Sequence, residues 1–313
     1  MLPLIERSSP MPGSPRHRYR QGGRLRRARE FSGFALPGLF LYGVLVLVPI
    51  LWTVVLGFTD QTRFGPQTGW IGFGQFGRLF QDGQFWLVLK NTVVVTLIVV
   101  IVPNVLGLGI ALLLNRESLL YRLLRSVFFT PVILSGIVVS VIWQSLLRPD
   151  GVLNTILADL GVDDAPRWLS DPGLALYSIA GILCWQMLGF CVVVYIAGLN
   201  SVPKELHEAA LMDGAGRLRR FLSVTWPMIA ASVTINTVML LISGFKIYEH
   251  ILVLTNGGPG RNATASIAFD VIEKGVRGDR IGFAAAEATI MLAIVVAVTG
   301  VVLRLLKRRE VHL

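Results

Sequence analysis

The stretch Glu208-Ala209-Ala210-Leu211-Met212-Asp213-Gly214 decides how the chain is read, because it lies in a polar segment between two long apolar runs. The runs have the length and composition of membrane spans. The segment between them is where the chain presents a surface outside the bilayer. Pro203 suits a first-turn position of a helix, where its missing N–H would be unpaired anyway, and Gly214 suits the left-handed residue just past the end. The spacing predicts a helix of about eleven residues, roughly 16 Å long. Ser201 and Val202 compete for the cap, and Lys204 sits where a capping box from Ser201 would want Glu. Leu206, Ala209, Ala210 and Asp213 recur at helical spacing, so a small-residue face lies beside the carboxylates of Glu205 and Glu208. Two adjacent alanines let a partner approach closely.

Glu208-Ala209-Ala210, then Asp213-Gly214-Ala215, then Phe221 and Trp226-Pro227, resemble the EAA loop of permease subunits of binding-protein-dependent ABC importers. The resemblance implies that the short helix is a coupling helix seated in a cleft of a cytoplasmic ATPase subunit. Glu205, Glu208, Ala209, Ala210, Asp213 and Gly214 are then its coupling residues. The competing reading is a solvated helix between two spans, with Glu208 paired only to Arg217, Arg219 or Arg220.

Composition bounds the rest. The chain has 313 residues, 53% hydrophobic and 15% charged, and a strongly positive mean hydropathy. Globular chains carry about 25% charged residues, so this one is read as embedded in a lipid bilayer. Its net charge of +10 does not point to nucleic acid, because the basic residues cluster at the ends and in short connections and make no single basic face. Cys184 and Cys191 lie seven apart in one apolar run, roughly 10 Å along a helix and too far for a disulfide. The four histidines are scattered, and no metal site is expected.

Residues 1–30 hold Pro, Gly and Ser with seven arginines between Arg16 and Arg29; they read as a disordered basic cytoplasmic tail. The remainder, 31–313, reads as an all-α integral membrane domain of six transmembrane helices. The first span, near Phe34 to Phe58, is too long for a signal-peptide core, and Pro37 and Pro49 should kink it. Charge-free windows follow at Asn91–Asn115, Ser126–Leu147, Pro172–Pro203 and Phe221–Phe245, and the last, Ile281–Leu303, holds one acid, Glu287. A charge at mid-span costs about 2.5 to 3.5 kcal/mol, so these windows are not chance. In the short connections, Arg116, Arg122 and Arg125 against Arg148 and Arg167 place both termini and the coupling loop, 200–226, inside.

Gly72 to Gly77 matches a GxGxxG pattern, but without a strand before it and a βαβ unit around it no dinucleotide site follows. No Gly-Lys pair occurs, so the chain has no phosphate-cradling loop of its own. No nucleophile, base and orienter stand together, and the chain is not expected to be an enzyme. The resemblance implies that ATP and Mg are bound by the partner ATPase, with no cofactor on this chain.

Asp150-Gly151-Val152-Leu153-Asn154, Trp168-Leu169-Ser170-Asp171-Pro172 and Thr255-Asn256-Gly257-Gly258-Pro259 are similar to segments of the carbohydrate-uptake branch of that family. Gly72 to Phe76 with Phe85-Trp86 is similar to the first of its two unlike permeases. This implies a multi-pass protein of a bacterial-type plasma membrane, paired with a second, unlike permease, a pair of ATPase subunits and an extracytoplasmic solute-binding protein. Tyr248-Glu249 and Glu287 depart from the family pattern and leave the solute open among disaccharides, larger oligosaccharides and a glycerol phosphodiester. The Thr255 to Pro259 segment also reads simply as a tight outer turn with glycine at positive φ. A secondary transporter would show ion-coupling residues and two similar halves, which are not seen; a membrane scaffold would not need a coupling loop.

Two expectations concern polar groups within the spans. Glu287 needs a partner, and Lys246, near the outer end of the preceding span, is the candidate, although snorkelling to the surface suits that lysine better. Counted from Ser126, Leu174 and Pro227, the side chains of Ser135, Gln186 and Asn236 fall about 13 to 18 Å into three spans, near mid-bilayer. With Ser243 and Lys246 they are candidates for the translocation pathway. Interhelical hydrogen bonding alone is the alternative.

Overall fold

The computed structural model describes residues 35–63, 65, 69–115, 119–162 and 164–308; the basic tail, 1–30, lies outside them. The described residues are helical, with no strand among them beyond an isolated bridge between Thr59 and Trp70. They fall into two compact units, the first ending at Trp52 and the second running from Thr53.

The first helix, α1 (Ala35–Leu56), contains a π-helical turn at Gly43–Leu47, closed by the Val48 N–H on the Gly43 carbonyl. Pro49 follows at once. With no N–H at Pro49 to continue the ladder, the wider turn is the local form of the expected kink.

Within the second unit, α2 (Gly74–Gln81) leads into α3 (Gly83–Leu114), whose start is capped by the Asp82 carboxylate accepting from the Gln84 N–H at 2.9 Å. The inward face of α3, including Val88, Thr92, Val95, Val99, Gly107 and Ala111, repeats at helical spacing. It packs on α7 (Ala175–Asn200), the most enclosed of the long apolar helices. Lipid tails are as apolar as leucine, so close backbone approach rather than water exclusion must hold such helices together. Glycines supply it. A Cβ at Gly189 of α7 would run into the Phe128 carbonyl, and one at Gly107 of α3 would stand 2.7 Å from the Cys191 Cβ.

The window Ser126–Leu147 departs from expectation. It is two helices, α4 (Leu119–Ile133) and α5 (Gly136–Leu146), bent by 101° from one to the other. Pro131 lies in the last turn of α4, and Ser135 starts the next helix, its Oγ accepting from the Val138 N–H. Proline and a serine cap end one helix and open another more cheaply than they continue one. Ser135 is therefore a helix cap at a break and not a residue midway along a straight span.

After α6 (Val152–Asp159) and α7 comes α8 (Lys204–Met212), the expected loop helix. It has 9 residues, and Pro203 is its N-cap, extended at φ −59° and ψ 136°, rather than a residue of its first turn. A second bent pair follows, α9 (Arg217–Met228) and α10 (Ala230–Phe245), at 63°, with a π-helical turn at Phe221–Thr225 and Pro227 just before the bend. Two short helices, α11 (Glu249–Leu254) and α12 (Ile267–Ile272), the latter continued by a π-helical turn at Glu273–Arg277, precede α13 (Ile281–Lys307). Only the first turns of α13, Gly282 to Glu287, are buried. Among the described residues four helices are thus long and apolar enough to cross a membrane, or up to six if each bent pair is one span.

Candidate functional site

The loop helix α8 ends as its sequence requires. Gly214 takes φ +71°, the Gly214 N–H donates to the Leu211 carbonyl and the Ala215 N–H to the Ala210 carbonyl, both at 2.9 Å. This paired closure satisfies two of the end carbonyls and needs a residue without a Cβ penalty at the left-handed position. No residue of α8 is buried. Glu205, Glu208, Ala209, Asp213 and Gly214 are exposed and Ala210 is half-buried. Met212 is 89% exposed, and Leu211 and Leu218 stand out with it. Among the described residues Glu208 makes no ion pair with Arg217, Arg219 or Arg220. The helix therefore presents acids, small residues and apolar side chains together on a surface that the described residues leave uncovered.

The pathway candidates are placed differently from one another. Gln186 is buried; its Nε2 donates to the Leu134 carbonyl at 3.0 Å, at the α4–α5 break, and its Oε1 lies 2.8 Å from His250 Nε2. That contact requires the histidine proton on Nε2. Burial pushes the His250 imidazole down to about 4, so it is neutral at physiological pH. Asn236 is fully buried and donates weakly to the Cys191 carbonyl at 3.4 Å, while its Oδ1 has no hydrogen-bond partner among the described residues. Ser135 and Lys246 are exposed, and Ser243 donates to its own helix at Met239. Ser135 and Gln186 meet at one break, whereas Asn236 joins α10 to α7 further along. Cys184 and Cys191 are buried free thiols.

Lys246 is not the partner of Glu287. Lys274, on the π-helical turn after α12, takes that place, with its Nζ 3.6 Å from Glu287, 2.5 Å from Asp270 and 3.2 Å from Asp82. Gln84 donates to the other Asp270 oxygen at 2.6 Å. Burial pulls the Lys274 ammonium down, but the three carboxylates outweigh it and hold its pKa above the ordinary value. The cluster ties the starts of α3 and α13 to α12.

Residues that the sequence reading passed over hold the connections. The Asn91 side-chain amide donates to the carbonyls of Ala263 and Ala265 at 3.1 Å and so pins the 255–265 turn onto α3. In that turn Asn256, Gly257 and Gly260 have positive φ, as expected of a tight turn. The Trp168 indole N–H donates to Asn154 Oδ1 at 2.8 Å, joining two of the segments quoted above for their family likeness. Gln144 donates to the Val253 carbonyl, and beside it a polar cleft is lined by Ser145, Arg148, Ser170, Thr255 and Pro259.

The chain is similar to known proteins in sequence and in fold. Residues 103–311 match the family described as binding-protein-dependent transport system inner membrane component. A probable ABC transporter permease protein of Pyrococcus horikoshii is 32% identical over 85% of this chain and 91% of its own. The diacetylchitobiose uptake system permease protein NgcF of Streptomyces coelicolor is 30% identical over 90% of this chain and 85% of its own. In fold, the chain superposes on one from the crystal structure of a bacterial alginate ABC transporter in complex with an alginate pentasaccharide-bound periplasmic protein. The TM-score is 0.77 at 22% identity, covering 90% of this chain and 94% of the other. With a family match across most of its length and relatives similar nearly end to end, the chain belongs to the multi-pass inner membrane components of binding-protein-dependent transport systems.

Proposed function

We propose that the chain is the transmembrane subunit of an ATP-driven importer that takes a sugar or related solute from an extracytoplasmic binding protein and passes it across the plasma membrane. The observation that carries this reading is α8, a rigidly terminated helix outside the core whose acids and apolar residues have no partner among the described residues. Such a surface suits a cleft on a separate ATPase subunit, which would bind ATP and Mg. The carbohydrate class is supported by relatives named for diacetylchitobiose and lactose uptake. The polar cleft beside Arg148 offers the hydroxyl, amide and guanidinium groups that sugar hydroxyls require.

In this reading residues 31–313 form one permease domain of six spans, each bent pair counting as one, with both termini and the 200–226 loop inside. A second, unlike permease completes the pathway, to which the exposed Ser135 and Lys246 and the half-buried Ser243 contribute, while Gln186 and Asn236 act from within the helix packing. The chain itself catalyses nothing.

Purification of the chain from its native membrane should bring an ATPase subunit with it. Gly214→Val moves the end of α8 by denying it the left-handed residue, and Glu208→Lys reverses the charge offered across the joint. Both variants should insert and assemble yet lose solute-stimulated ATP hydrolysis. Full transport by both would remove α8 from coupling.

A further inference from the structure

The segment from Trp70 to the first turn of α3 carries more exposed aromatic surface than a watery loop would hold. Phe73 is 76% exposed, Trp70 68%, Trp86 51% and Phe80 49%. They are not scattered. Trp70 stacks on Phe58 at 5.6 Å, Phe73 meets Phe58 edge-on at 5.2 Å, and Phe80 lies 6.3 Å from Trp86, whose indole N–H donates to the Phe80 carbonyl. The helix between them, α2, turns Gln75, Phe76 and Leu79 inward and leaves Phe80, Arg78 and Gln81 outside. Contiguous exposed apolar surface of this kind marks a place where something other than water is met.

Its depth is fixed by packing. Leu79 of α2 joins Phe85 in the first turn of α3 and Phe283 in the first turn of α13. At 32 residues, α3 is about 48 Å long, well over the roughly 30 Å of a hydrocarbon core. Its charge-free run starts only after Lys90, and that of α13 only after Glu287. The level of α2 is therefore the layer just above the hydrocarbon, where Trp and other amphipathic rings are enriched in membrane proteins. Below it the patch does not stop. Trp86, Val93, Leu97 and Ile101 continue it down one face of α3 as an exposed ridge. Arg78 on α2 and Lys90, just before the charge-free run of α3, are both exposed and carry the charge that lipid phosphate calls for.

We propose that α2 is an interfacial helix that lies in the phospholipid headgroup layer, with Phe73, Phe80 and Trp86 at the acyl boundary and Arg78 and Lys90 on lipid phosphates. A short amphipathic helix held there resists tilting of the two spans it is packed against, because tilting would lift its rings into water or drive its charges into hydrocarbon. The inference rests on α3 and α13 crossing the membrane; it does not depend on what the chain transports or on which side α2 lies.

The test uses the assembled transporter in phosphatidylcholine–phosphatidylglycerol liposomes, with the buried Cys184 and Cys191 replaced by serine. Single nitroxide labels are placed at Phe73→Cys and Phe80→Cys, with Asp150→Cys in a polar connection as the water reference. The ratio of collisions with oxygen to collisions with a water-soluble nickel chelate should be several-fold higher at both aromatic positions than at the reference. A ratio equal to the reference overturns the proposal. So does protection from both agents, which would mean cover by another subunit, and so does a change that appears only when solute-binding protein is added. Independently of any label, phospholipids brominated near the glycerol end should quench a smaller share of tryptophan fluorescence in a Trp70→Phe, Trp86→Phe double variant than in the unaltered chain. An unchanged share overturns the proposal as well.

Discussion

Gln186 holds two groups that have no other side-chain partner among the described residues: the Leu134 carbonyl freed where α4 breaks, and the neutral His250 ring. Gln186→Leu leaves the buried His250 donor unpaired, at about 1 to 3 kcal/mol, and takes the amide donor away from the partly exposed Leu134 carbonyl. The expected result is a lower melting temperature of the purified transporter together with lower uptake. Lost uptake at an unchanged melting temperature would instead make Gln186 a direct contact of the solute. The histidine adds a pH signature. Its folded pKa of about 4 lies below the unfolded value near 6.5, so the unfolded chain takes up a proton that the folded chain refuses between those values. The stability it contributes is present above pH 6.5 and is lost as pH falls toward 4. His250→Gln lacks that loss, so the gap in melting temperature between the unaltered chain and this variant should narrow from pH 7 to pH 5; a constant gap would mean that the ring is not buried neutral. The sequence marks Gln186 and Asn236 as polar groups in apolar runs, which is readable because such groups must find partners. Which partners is not readable. Gln186 answers to a carbonyl that exists only because another helix breaks 52 residues earlier.

Among the elements, the joint between α3, α12 and α13 depends on one cation. Lys274 faces Asp82, Asp270 and Glu287, and it also lies 4.8 Å from the centre of the Phe283 ring. Removing one partner of a buried charge set costs about 3 to 5 kcal/mol, because the opposing charge is left behind without compensation. Lys274→Met should therefore collapse the yield of folded transporter. Glu287→Gln keeps the shorter Lys274 contacts and should be mild, and Lys246→Met, at an exposed position, should be close to neutral. Equal behaviour of the two lysine variants, read as the monodisperse fraction after solubilisation, would remove Lys274 from the joint. The demand of Glu287 for a counter-charge is legible from its place in an apolar run. Its partner is not, since Lys246 and Lys274 are both nearby in sequence and only the turn after α12 decides between them. The end of α8 is legible for the opposite reason: the left-handed turn at Gly214 is a local requirement that needs no distant contact. The α4–α5 break had a local signature too. Pro131 and Ser135-Gly136 spell a helix end and a helix start, but a search for charge-free windows reads straight through them.

At the scale of the whole molecule, the side on which α8 lies follows from whether each bent pair crosses the membrane or turns back. If both cross, Gln81, Asp150 and Gly260 share one side and Met212 lies on the other. If α4–α5 turns back, the chain emerges on the wrong side at Asp150, and α7 then carries Met212 to the side of Gln81. Side-chain contacts favour crossing. Asn91, near the start of α3, bonds the turn at 263–265, and Gln144, at the end of α5, bonds the Val253 carbonyl just before that turn. The start of α3, the end of α5 and the connection after α10 are thus joined, which a returning α4–α5 pair would not allow unless its end doubled the full depth of the bilayer. Single cysteines at these four exposed positions, in a chain without Cys184 and Cys191, should react with a membrane-impermeant maleimide as three from outside intact cells and one, Met212→Cys, only after the cells are opened. Labelling of Met212→Cys from outside would place the coupling loop on the same side as the solute, where no ATPase could reach it, and would end the reading of α8 as the joint to an energy source.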